Sequence, residues 1–76
     1  RLHRDAGDAL GEVCDLINLC VLCEARDWLW TAERYAERAV LAAQAADLPH
    51  SVHRARQQRD RVREVRRLCS VPANQN

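Results

Sequence analysis

The sequence predicts an all-α fold, an antiparallel three-helix bundle built as a hairpin plus one further helix. Apolar residues recur at three- and four-residue steps along three separate stretches, the spacing of a helix with one buried face. Two glycines and two prolines in 76 residues leave too few turn formers for a β architecture. The breaks between the stretches are short, and short connections make successive helices antiparallel. With 47% hydrophobic and 30% charged residues the chain is globular in composition, and its length allows one small domain spanning 1–76.

The first helix is expected over about 5–25. Ala6, Leu10, Val13, Ile17, Cys20 and Cys23 form its core face, with Leu16 beside them, and Asp5 is placed to cap it. Gly7 and Gly11 each weaken that end by about 1 kcal/mol relative to alanine. The second helix is expected over about 27–46, with Asp27 as its cap. Its main stripe is Leu29, Ala32, Ala36, Ala39 (with Val40), Ala43 and Ala46. A second stripe, Trp28, Tyr35 and Ala42 with Leu41 and Ala45 nearby, makes this helix apolar on two sides and places it between two neighbours. Pro49 disfavours helical geometry at Leu48, so the chain breaks there. The third helix is expected over about 51–69, capped by Ser51, with Pro72 beyond its end and 71–76 as a frayed tail. Its apolar face is thin: Val52, Ala55, Val62, Val65 and either Leu68 or Cys69, with Arg59 at a core position.

Counting across the turns pairs large residues with small ones. Ile17 faces Ala36, Val13 faces Ala39 and Leu10 faces Ala43, while Val62 meets the Ala36 layer and Ala55 the Ala43 layer. The same count sets Arg59 near Glu12, Arg61 level with Glu37 and Arg66 level with Glu33. Charge is divided along the chain. Residues 1–49 hold five arginines and nine acids, a net −4, and residues 50–76 hold seven arginines and two acids, a net +5. Either the third helix neutralises the first two, or its basic face of Arg54, Arg56, Arg61, Arg63 and Arg67 receives an acidic partner or nucleic acid. The nucleic-acid alternative has no interleaved aromatics and no helix-turn-helix signature to support it.

Catalytic chemistry has little to stand on. No glycine-rich phosphate loop, G-x-S-x-G, H-E-x-x-H or Glu-x-x-His pattern occurs, and no cofactor is expected. Cys20-x-x-Cys23 and His50-x-x-His53 imitate a zinc finger, but a whole helix intervenes and separates the pairs by roughly 20–25 Å. Zinc ligands must lie about 2 Å from one centre, so that four-ligand site fails. The remaining metal alternatives are a three-thiol grouping of Cys20, Cys23 and Cys69 and a three-imidazole grouping of His3, His50 and His53. Against them stands plain packing, since free cysteine behaves as a small hydrophobe. The absence of an apolar run long enough to span a bilayer, or of a secretion signal, predicts a cytoplasmic protein with reduced thiols. The lack of methionine predicts a piece of a longer chain, and the replacement of every lysine by arginine reads as GC-rich coding.

The stretch Leu16 to Ala46 resembles a tetratricopeptide-type helical hairpin. Leu16, Leu19, Cys20 and Cys23 stand where that family spaces large and small residues in its first helix, and Ala32 and Ala39 stand at the alanine positions of its second. The segment from Ala32 to Val40 is similar to the second helix of such repeats. Cys20 replaces the usual glycine, the turn glycine is absent, and the closing proline is displaced to Pro49. One hairpin plus one helix also resembles the microtubule-interacting and trafficking domain. Both resemblances imply protein binding without catalysis.

The functional expectation is therefore a non-enzymatic module for protein interaction or self-association. The second helix offers more apolar surface than the thin third helix can cover. Trp30, Tyr35 and Leu41, rimmed by Arg34 and Arg38, are the expected contact residues, because aromatic and arginine side chains anchor most interfaces.

Overall fold

A computed structural model describes the backbone of residues 6–75 and the side chains of 7–69. Asp5 and His3, named above as a cap and a metal ligand, lie outside the described residues. Those described form three helices and no strand: α1 (Ala6–Ala25), α2 (Leu29–Ala45) and α3 (Pro49–Gln75). No helix among them is long and apolar enough to cross a membrane.

The two turns share one chemistry. At the first, the Asp27 N–H donates to the Glu24 carbonyl at 3.0 Å and the Trp28 N–H to the Cys23 carbonyl at 2.8 Å. At the second, Asp47 donates to Gln44 at 3.1 Å and Leu48 to Ala43 at 3.0 Å. Each is the paired closure of a helix by a residue in the left-handed region. Asp27 at φ 62° and Asp47 at φ 58° fill a role usually given to glycine. Among other residue types, aspartate and asparagine tolerate that region best.

This corrects two expected caps. Asp27 ends α1 and does not begin α2. The next helix starts from Trp28, which makes no side-chain capping bond but accepts the Ala32 N–H at 2.9 Å. Leu48 likewise accepts from Val52 at 2.9 Å, and Pro49 takes the first helical position, where its missing N–H leaves no bond unmade. Ser51 therefore lies inside the first turn of α3, buried, and is not its cap.

The core has two contiguous parts. Val13, Leu16, Ile17, Ala39, Val40, Ala43 and Ala55 make one, and Cys20, Cys23, Ala32, Ala36 and Val62 the other, with Tyr35 packed against both. Ile17, Val13, Ala36, Ala39, Ala43, Ala55 and Val62, expected in facing layers, are all core residues, but Ile17 and Ala36, expected opposite each other, fall in different parts. Leu10 is not a core residue: it is 44% exposed, and Ala9 and Leu16 are buried in its stead. The reason is angular. At about 100° per residue Ala9 falls about 20° from Cys20 around the helix, whereas Leu10 falls about 80° away.

α2 packs against both other helices, and α1 and α3 touch each other far less, so the middle position expected for α2 holds. Its second buried side is not the one expected, however. Glu33 is buried beside the expected Val40, while Tyr35 and Ala42 are half-buried and Trp28 is exposed. α3 is longer than its pattern suggests. Its backbone stays helical through Pro72 to Gln75, past the point at Val71 where the tail was expected. The principal extents of 51 × 19 × 18 Å reflect that length, since 27 residues of helix measure about 40 Å.

Candidate interaction surface

One carboxylate organises the contact between α2 and α3. Glu33 lies three residues before Ala36 and so on the edge of the buried face, only 8% exposed. Its Oε2 accepts Arg63 Nε at 2.8 Å, and its Oε1 accepts Arg66 Nε at 2.8 Å. Arg63 extends further and donates through Nη2 to Glu37 Oε2 at 3.1 Å. Burial alone would raise the Glu33 carboxyl, but the bonds from Arg63 and Arg66 outweigh it and hold the group below its ordinary 4.5. Glu33 also raises the Arg63 guanidinium.

Arg66 carries this order to the surface. Its guanidinium carbon sits 4.8 Å from the centroid of the Trp30 ring, within cation–π range. The indole is thus held in place and still 61% exposed. Leu41, three turns along α2, is 64% exposed. Arg34 and Arg38 are exposed between them, and Arg38 lies 5.9 Å from the half-buried Tyr35 ring. The structure therefore places Trp30, Arg34, Arg38 and Leu41 along the outer side of α2. Tyr35 sits at its edge and contributes mainly to the core.

The expected basic face is divided. Arg61 pairs with Glu24 at 3.4 Å, Arg63 with Glu33 and Glu37, and Arg67 with Glu64 at 2.7 Å. Of the five arginines, only Arg54 and Arg56 are exposed without an acidic partner among the described residues. Two pairings differ from the count. Arg61 reaches Glu24 where Glu37 was expected, because positions 58 and 61 lie on the flank of α3 turned to α1 while 63 and 66 lie on the flank turned to α2. Arg59, expected beside Glu12, pairs with its neighbour Asp60 at 3.1 Å. The expected Arg66–Glu33 pair is present.

The cysteines separate in the same way. Cys20 and Cys23 are buried, Cys14 is half-buried, and Cys69 is exposed about two turns of α3 beyond Val62. Burial, with Glu24 and Cys23 adding to it, raises the Cys20 thiol against an opposing hydrogen bond from Gln58. Among the described residues no group of three or more His, Cys, Asp or Glu could hold a metal ion, the trio Cys20, Cys23 and Cys69 included.

Two features escaped the sequence reading. One is the double acceptance at Glu33, whose signal was its place on the rim of the α2 stripe together with two arginines three apart on α3. The other is the amount of apolar surface left open on α1, where Leu10, Leu19, Val21 and Leu22 are exposed. The run Leu16–Cys23 holds more apolar side chains than one helix face can bury. Comparison with family models, with curated proteins and with solved structures yields no match.

Proposed function

We propose that this domain is a non-catalytic helical protein-interaction module that receives its partner on the outer side of α2. The observation that carries the reading is Trp30, an indole fixed by Arg66 yet largely open to solvent. An anchor already held in its rotamer loses little entropy on binding, which favours affinity. Leu41 extends the apolar surface and Arg34 and Arg38 rim it, the composition typical of interface centres. The tetratricopeptide-type likeness of residues 16–46 points the same way, since a hairpin followed by a stacked helix is a form that repeat proteins use for binding.

The test compares the immobilised domain with its Trp30→Ala/Leu41→Ala variant for retention of proteins from a cell extract. Both side chains are exposed, so the variant is expected to keep its helicity and its unfolding midpoint within a few degrees. It should lose the proteins that the parent retains at physiological salt. Equal retention by both proteins would remove the outer side of α2 from consideration.

A further inference from the structure

The outer side of α2 is not the only exposed apolar surface among the described residues. Around α1, an arc running through Ile17, Leu10, Val21, Cys14, Asn18, Gly11 and Leu22 contains no charged residue. Placed at about 100° per residue, it spans about 140°. Leu10, Val21 and Leu22 within it are exposed and Cys14 is half-buried. Ile17 at its edge is buried in the core, but from Leu10 round to Leu22, about 120°, neither α2 nor α3 closes over it. A side chain added at Gly11 would meet nothing within 4 Å among the described residues.

The two borders of this arc carry opposite charge. On one side stands Asp15, exposed and without an ion pair among the described residues. On the other side stands α3, identified by the contacts of Glu24 with Gln58 at 3.3 Å and Arg61 at 3.4 Å. Arg54 lies on the same ridge of α3, four residues before Gln58, exposed and without an acidic partner among the described residues. Because α1 and α3 run parallel, Arg54 falls about level with Asn18, within an arginine's reach of the level of Asp15.

We infer that this face of α1 is the site of a parallel homodimer. A twofold axis along the helices exchanges the two borders, so Asp15 of each copy meets Arg54 of the other while the uncharged arcs close on each other. An antiparallel pair would set like borders together, Asp15 against Asp15. The charge pattern therefore selects both the occupant, a second copy of this chain, and its direction. The 20 residues of α1 give a strip about 30 Å long and 10–12 Å wide. Two such strips bury less than about 1,000 Å², the range of weak and transient association. The dimer belongs in the micromolar range. It is independent of the α2 reading, and either can fail without the other.

Sedimentation equilibrium from about 5 to 500 µM tests it, with Cys14 and Cys69 kept reduced. The parent should move from monomer to dimer across that range. Val21→Arg, at an exposed position, should weaken association at least tenfold while circular dichroism and the unfolding midpoint stay unchanged. Asp15→Arg and Arg54→Asp should each weaken it about threefold to fivefold, and the double variant should return to within twofold of the parent. A monomer throughout the range, or a dimer indifferent to Val21→Arg, overturns the proposal. Tighter association by Asp15→Arg alone overturns the parallel arrangement. A dimer lost in Trp30→Ala but kept in Val21→Arg moves the contact to α2 and leaves the reading of α2 standing.

Discussion

Replacing Glu33 by glutamine measures how firmly α3 is tied to the hairpin. Glutamine keeps the shape and one acceptor oxygen, and removes the charge that two guanidinium groups share. The carboxylate is nearly enclosed, while the side chains of its partners Arg63 and Arg66 are 47% and 34% exposed. Buried hydrogen bonds to a charged group contribute about 1.5–3 kcal/mol, and solvent around both arginines screens part of that. A loss of about 1–2 kcal/mol results for the Glu33→Gln change. For a domain of this size each kcal/mol corresponds to about 4–8 °C in the unfolding midpoint. The variant should therefore melt about 4–15 °C lower at pH 7 by circular dichroism. The pH dependence supplies an internal control. The folded carboxyl lies below its ordinary 4.5, so its contribution is fully present above that pH. It is lost as pH falls through the lower folded value, and below that value the two proteins should converge. A midpoint shift under 2 °C at pH 7, or a difference that persists unchanged into acid, would refute the assignment of Glu33 as the tie between α2 and α3.

Val62 is the largest fully buried side chain of α3, so Val62→Ala should cost about 2 kcal/mol, read as a lower urea midpoint. A loss below about 0.5 kcal/mol would show that α3 is held by its ion pairs alone. Asp47→Gly should raise the melting temperature by a few degrees, since glycine enters the left-handed region without the steric cost that aspartate bears; a fall would show that the aspartate side chain contributes to the turn. Titration with a thiol reagent should label Cys69 first, then Cys14, and reach Cys20 and Cys23 only on unfolding. Rapid labelling of Cys20 in the folded protein would contradict its burial.

The proposed contact surface was only partly legible. Trp30, Leu41, Arg34 and Arg38 are exposed on the outer side of α2, as their spacing from the alanine stripe indicated. Tyr35 belongs as much to the core, because a side chain at the border of a helix face can turn either way and packing decides. Leu10 shows the same ambiguity from the other direction. It satisfied a three-and-four spacing as well as Ala9 did, yet that pattern tolerates an error of one position that the folded helix does not. The basic face failed for a different reason. Summed charge over a segment carries no information about which arginines find a carboxylate within 4 Å.

What this sequence determines by itself is the number of helices, their order and the middle place of α2. Periodic apolar spacing is a local property, and two short breaks fix antiparallel succession whatever the details of packing. The tertiary structure decides the rotation of each helix about its own axis. That rotation places Glu33 under two arginines, sends Arg61 to Glu24, exposes Leu10 and leaves an uncharged arc of α1 uncovered. A turn of a few tens of degrees costs little in any one helix taken alone. Only when three surfaces must close on one another at the same time does a single set of rotations fill the space, and that condition is not written in any one stretch of chain.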